Sequence, residues 1–179
     1  NRDRLLTRLE ARLGIAPAPT EHVGVLWCDI DNLKRFNDEL GHRTGDVVIA
    51  GVADRLKGAV RHQDIVGRIG GDEFVIVLDQ CPNEAVLLAV AENVQKAASG
   101  PIKSDMGKVK VSVSVGAVLA KSTTDTDDAL SRADHALYRA KRAGRNQVAL
   151  EPGGEQDPAE SRGPLLAGDP APSTQADGS

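Results

Sequence analysis

With 179 residues, a net charge of −4 and 40% hydrophobic content, the chain can form one globular domain with a sizeable core plus some non-globular remainder. Slight acidity and only four aromatic residues (Trp27, Phe36, Phe74, Tyr138) argue against nucleic acid as a partner, which needs a basic face and stacking platforms. No apolar run approaches the roughly 20 residues that cross a bilayer, so this segment is expected to make no membrane contact. The four histidines lack zinc-ligand spacing, and Cys28 and Cys81 suit a reducing, cytoplasmic setting better than a disulfide framework.

In chain order, residues 4–13 place Leu5, Leu6, Leu9 and Leu13 near helical spacing, and Gly14, Pro17 and Pro19 stop that helix. Residues 23–28 are a near-continuous apolar run, the pattern of a strand buried on both faces, and the run ends in Asp29-Ile30-Asp31. Asp31 and Asn32 are N-cap types for a helix carrying Leu33, Lys34, Phe36 and Asn37. The free N–H groups at its start, with Lys34 beside them, suit a phosphate. Gly41-His42 and Gly45-Asp46 predict a turn before a second helix, whose apolar face is Val48, Ile49, Val52, Ala53 and Leu56.

Two apolar runs, 65–69 and 74–78, flank Gly70-Gly71-Asp72-Glu73, which reads as a β-hairpin tip with Gly-Gly in positive-φ turn positions. Two strand ends therefore carry carboxylates. Acids at the mouth of a buried strand are costly without a cation, and paired carboxylate oxygens with phosphate are the usual Mg²⁺ environment, so the pattern predicts a metal-phosphate site.

A third helix is expected over 84–98, with Ala85, Leu88, Ala91 and Val94 on its apolar face. Residues 109–119 alternate as one half-buried strand. A last helix over 127–143 carries the stripe Leu130, Ala133, Leu137 and Ala140, with Tyr138 as packing and Gly144 as C-cap. Lys141 and Arg145 at its end either favour the helix dipole or reach a polyphosphate. A short strand over 147–150 closes the domain, and residues 151–179, rich in Gly and Pro, read as a disordered tail.

These residues resemble the GGDEF family of diguanylate cyclases over residues 1–150. The signature reads Gly70-Gly71-Asp72-Glu73-Phe74, and its flanking motifs occur in family order. Upstream lies Asp29-Ile30-Asp31-Asn32-Leu33-Lys34 with Asn37-Asp38, Gly41-His42 and Gly45-Asp46, where Leu33 stands in place of a commoner phenylalanine. Downstream are Ser114-Val115-Gly116, Ala133-Asp134, Ala136-Leu137-Tyr138, Ala140-Lys141 and Gly144-Arg145-Asn146. Asn1-Arg2 resembles the end of the family's opening segment, so the domain is expected to be cut at its N-terminus, below a sensory or dimerising module of a parent protein that could be membrane-anchored.

The resemblance implies an α+β fold, a ferredoxin-like or palm-type antiparallel-rich sheet flanked by helices, with the GGDEF hairpin at the active site. It implies condensation of two GTP into cyclic di-GMP and two pyrophosphates by a homodimer. Asp29, the Ile30 carbonyl and Asp72 would hold Mg²⁺, for which Mn²⁺ could substitute. Glu73 would act on the 3′-hydroxyl, as general base or as a second metal ligand, so Asp29, Asp72 and Glu73 form the catalytic set. Lys34, Lys141 and Arg145 would bind the β- and γ-phosphates with Asn32 and Leu33 at the helix start between them, and Asn37 and Asp46 would read the base. Relatives that accept adenine carry serine at the Asp46 position. Arg61 and Asp64 resemble an inhibitory site for cyclic di-GMP, with a surface ion pair as the alternative. A catalytically inactive GTP-binding module is the alternative for the whole chain.

Overall fold

The apolar run after residue 21 is too continuous to face water on either side, and it forms the central strand β1 (His22–Ile30) of a five-stranded sheet. The computed structural model describes residues 7, 9–11, 22–121 and 124–151. After β1 come α1 (Leu33–Leu40), α2 (His42–Ala59), β2 (Ile65–Arg68), β3 (Glu73–Leu78), α3 (Glu84–Ala98), β4 (Gly100–Ser104), β5 (Gly107–Val111), β6 (Val113–Lys121), α4 (Thr126–Arg142) and β7 (Val148–Leu150).

The sheet order is β2-β3-β1-β6-β7, antiparallel except for the β6–β7 pair, while β4 and β5 form a separate ribbon. The first four of those strands have the ferredoxin-like order, so the expected antiparallel-rich sheet flanked by helices is the architecture found. One face packs Leu26, Cys28, Phe74 and Ile76 against Val48, Val52 and Leu56 of α2 and Leu87, Ala91 and Val94 of α3. The other packs Val25, Val75, Val77 and Val118 against Ala129 and Ala133 of α4 and against Leu9. Among the described residues, no helix is long and apolar enough to cross a membrane.

Several local expectations change. The alternating stretch 109–119 is two strands broken at Ser112, whose carbonyl accepts from Asp31 N–H at 2.9 Å, so Val109 and Val111 pair with β4 instead of β1. On α3 the buried stripe is Leu87, Ala91, Val94 and Ala98, whereas Leu88 is 37% exposed; a one-residue choice rotates a helix face by about 100°. Gly45 and Asp46 lie inside α2, which begins at His42 directly after Gly41 (φ +82). Tyr138 is 60% exposed, with the Arg142 guanidinium 5.8 Å from its ring centre, and packs into no core.

Most of the opening helix and all but Glu151 of the tail lie outside the described residues. Residues 7 and 9–11 are helical and Leu9 is fully buried. Glu151 extends the folded body: its N–H donates to Ala117 O at 2.7 Å and its carboxylate meets Arg139 Nη2 at 2.6 Å.

Candidate active site

Antiparallel pairing brings the end of β1 against the start of β3, and the register sets Asp29 directly opposite Glu73. One residue on, Ile30 N–H donates to the Asp72 carbonyl at 3.1 Å, so the hairpin tip is tied to the strand end. Asp29 is 5% exposed, and Lys141 Nζ from the end of α4 lies 2.7 Å from its Oδ2. Burial pushes the Asp29 carboxyl up to about 6 against the pull of Lys141, and the nearby charges of Asp72 and Glu73 add to the rise. Asp29 thus has one ammonium partner and two acids nearby, an imbalance that a cation would relieve. Among the described residues, no three or more His, Cys, Asp or Glu side chains gather into a metal cage. The carboxylate and backbone oxygens at these strand ends are hard donors, the chemistry that divalent cations such as Mg²⁺ and Ca²⁺ take.

The hairpin tip differs from a two-residue turn. Ile69 and Gly70 N–H both donate to Glu73 O, at 3.0 and 3.4 Å, leaving residues 70–72 as the loop. Gly70 and Gly71 are not among the positive-φ glycines, so left-handed geometry does not explain them. At Gly70 the reason is space: a Cβ there would run into the Glu73 carboxylate, which folds back over it. Arg68 holds the loop from below, donating through Nε to Gly70 O at 3.0 Å and through Nη2 to Gly71 O at 2.6 Å. Sequence reasoning missed Arg68; a single cation ending an otherwise apolar strand was the available signal.

Asp31 does not cap α1. It is 2% exposed and accepts from Ser112 Oγ at 2.7 Å, Ser114 Oγ at 2.7 Å and Asn146 N–H at 3.1 Å. Asn32 stands at the N-cap in a left-handed conformation (φ 58) without a side-chain cap, which leaves N–H groups of the first turn uncapped. Leu33 points into the core at 5% exposure, so only its backbone faces outward, while Lys34 is exposed. Asn37 Oδ1 is buried without a hydrogen-bond partner, and it sits where a Cβ on Gly45 would collide. One residue further on α2, Asp46 opens onto a cleft of 420 Å³ shared with Ile49, Arg68 and Phe74.

Just past the same end of α4 that carries Lys141, Gly144 (φ 121), Arg145 (φ 62) and Asn146 (φ 51) make a left-handed turn that leads the chain into β7. Arg145 N–H closes it on Ala140 O at 3.1 Å. Lys141 does more than complement a helix dipole, because its ammonium reaches Asp29.

Arg61 and Asp64 are neighbours in a tight turn but form no ion pair with each other. Arg61 N–H donates to Asp64 Oδ2 at 2.8 Å, and Asp64 Oδ1 accepts from Asp79 N–H at 3.2 Å, leaving the Arg61 guanidinium exposed. A cleft of 440 Å³ between this turn, the end of α2 and α3 is lined by both residues, with Val86, Val90 and Asn93. It lies at the opposite end of β2 from the hairpin tip, roughly 13 Å of strand away.

The fold is shared with known proteins. The family model described as "Diguanylate cyclase, GGDEF domain" matches residues 1–147. The chain is 39% identical over 145 residues to diguanylate cyclase TpbB of Pseudomonas aeruginosa (strain UCBPP-PA14), covering 80% of this chain and 33% of that protein. It is 36% identical over 152 residues to diguanylate cyclase DosC of Escherichia coli (strain K12), covering 84% and 33%. The chain thus spans about a third of the length of these curated relatives. Among solved structures, a mutant of TpbB from P. aeruginosa comprising only the GGDEF domain superposes with a TM-score of 0.79 at 37% identity, over 85% of this chain and 90% of that one. The GGDEF domain of DgcB from Caulobacter crescentus, in complex with c-di-GMP, gives 0.78 at 29% identity, over 84% and 90%. With motif order, sheet topology and extent of match in agreement, this chain belongs to the diguanylate cyclase GGDEF-domain family.

Proposed function

We propose that residues 1–150 form a diguanylate cyclase domain that condenses two GTP into cyclic di-GMP, with Mg²⁺ as the metal and two copies of the domain face to face. The carrying observation is the meeting of Asp29, Asp72 and Glu73 at the ends of β1 and β3 with Lys141 on Asp29. Asp29, Asp72 and the Ile30 carbonyl would hold the cation, which when bound neutralises phosphate charge and polarises the reacting oxygens. Glu73 takes the proton from a 3′-hydroxyl; that oxygen attacks the α-phosphorus of the facing GTP, and the bond to the pyrophosphate oxygen breaks. Two such displacements close the ring and release two pyrophosphates. Lys34, Lys141, Arg145 and the uncapped N–H groups around Asn32 and Leu33 hold the β- and γ-phosphates. A GTP substrate and two free cysteines suit a cytoplasmic setting.

Incubation with GTP and Mg²⁺ across a wide protein concentration series, with nucleotides resolved by chromatography, tests this. Cyclic di-GMP whose specific rate rises with protein concentration is the expected result. GTP that binds but stays unconverted at every concentration would favour an inactive binding module.

Asn37 and Asp46 read the base. The unpartnered Asn37 Oδ1 needs a donor, and guanine offers N1–H and N2–H, whereas adenine N1 is an acceptor that would face the Asp46 carboxylate. Asp46→Ser is therefore expected to lower the GTP-over-ATP preference by about tenfold or more, read as the ratio of kcat/KM values. An unchanged ratio would remove Asp46 from the base site.

The exposed Arg61 guanidinium beside its cleft supports a product site, where arginine can donate to guanine O6 and N7 together. Arg61→Ala should raise the cyclic di-GMP concentration for half-inhibition by about tenfold with the initial rate kept. Superimposable inhibition curves would refute it.

A further inference from the structure

The turn at residues 144–146 stacks three consecutive left-handed conformations, two of them on residues with a Cβ, a costly arrangement that persists only when its surroundings over-determine it. Its surroundings do so from two sides. From the sheet, Asp31 Oδ2, just past the end of β1, accepts Asn146 N–H at 3.1 Å, and Ser114 Oγ on β6 accepts the same N–H at 3.2 Å. From α3, Gln95 Nε2 donates to Asn146 Oδ1 at 2.8 Å, and Ser99 Oγ donates to it at 3.3 Å. Gln95 is itself 8% exposed and also donates to Ser99 Oγ at 3.2 Å and Val113 O at 3.3 Å. Ser112 and Ser114 hydroxyls fix the two Asp31 oxygens from β6 and its approach.

None of these groups stands among the residues assigned to nucleotide, metal or product. The Asp31, Gln95, Ser99, Ser112 and Ser114 side chains are buried or half-buried, and directly or through Asp31 they converge on one exposed asparagine. Asn146 follows Arg145 directly, and Asp31 lies two residues beyond Asp29, the partner of Lys141. The network therefore couples the carboxylate strand to the segment that carries both downstream cations.

We infer that Asp31 and Gln95 are positioning residues for triphosphate recognition: they clamp Asn146 from opposite sides and so fix the left-handed turn that presents Arg145. This rests on the reading of Lys141 and Arg145 as phosphate binders. Losing the clamp lets the turn relax toward right-handed backbone, which moves Arg145 but leaves Asn37 and Asp46 on α1 and α2 untouched. The consequence is selective: affinity for the triphosphate falls while affinity for the base and ribose stays.

The test compares 3′-deoxy-GTP, which lacks the nucleophile and cannot condense, with GMP, both by calorimetry in Mg²⁺ buffer, on Asp31→Asn, Gln95→Leu and Lys141→Ala. Asp31→Asn and Gln95→Leu are each expected to weaken 3′-deoxy-GTP by about tenfold, the value of one hydrogen bond to a charged group, with GMP unchanged. A parallel loss of GMP affinity, or no loss for 3′-deoxy-GTP, would overturn the inference. Should Asp31→Asn fail to fold, Gln95→Leu decides, because it acts from α3 and leaves β1 intact. Lys141→Ala separates the two levels. If it leaves 3′-deoxy-GTP affinity unchanged, the phosphate reading falls and the inference with it; if it weakens binding and the clamp variants do not, only the inference falls.

Discussion

Asp29→Asn is expected to lower cyclic di-GMP formation by roughly a hundredfold or more, and to raise the thermal midpoint in metal-free buffer at pH 7.5. Burial lifts the Asp29 carboxyl from 3.8 to about 6 despite Lys141, so the charged form is disfavoured in the folded state. Below about pH 4 the group is protonated whether folded or not and costs nothing. As pH rises toward about 6 the unfolded chain loses its proton first, and stability falls; above about 6 the whole penalty is present. A shift of this size corresponds to about 3 kcal/mol, or roughly 9 °C for a chain of this length. Asparagine removes it. The Lys141 amine, 31% exposed, can recover hydration when its partner is neutral. Melting curves between pH 4 and 8 without divalent cation are the measurement. The unaltered chain should lose stability across that interval more steeply than Asp29→Asn, and Mg²⁺ should restore it only when Asp29 is present. A variant that melts lower at pH 7.5 would show that the Lys141 pair outweighs the buried charge.

Gly116→Ala is expected to destabilise the domain by about 3 kcal/mol, near the upper end of the overpacking range. Gly116 lies mid-strand in β6, where an added Cβ would collide with Ala133 O and with the backbone N and Cα of Leu137. These atoms are backbone, so no rotamer change relieves the clash, and α4 must lift from the sheet. Lys141 sits one turn beyond Leu137, so the same displacement should draw its ammonium away from Asp29 and lower turnover. Denaturant midpoint and specific activity should fall together. Gly71→Ala is the control: nothing lies within 4 Å of the added carbon, and stability should hold to about 0.5 kcal/mol. A Gly116→Ala variant as stable as that control would mean that α4 is less tightly seated than its backbone contacts imply.

The site was most legible where local pattern and unusual chemistry coincide. Asp29 and Glu73 stand at the ends of apolar runs, and burial of those runs alone makes the acids conspicuous. Register then made them direct partners, as antiparallel pairing of two adjacent buried strands allows. Residues whose roles depend on distant neighbours were misread or passed over. Asp31 has the composition of a helix cap, and by local propensity that is its best use; it instead turns inward because Ser112, Ser114 and Asn146, more than 80 residues later, offer three donors. Arg68 looks like the outward end of a strand until the loop carbonyls fold back onto it.

Sequence by itself determined most of the helices and strands, though not β4, together with both acidic strand ends, the cations at the end of the last helix and the family. Each is encoded in residues close together along the chain, through period, capping chemistry or motif. Tertiary structure alone decided which face of α3 is buried, that residues 109–119 serve two different sheets, and that a side chain at Gly116 would meet the backbone of α4. Those outcomes depend on close approach between segments far apart in sequence, and hydrophobic periodicity specifies that a face is buried without specifying what lies against it.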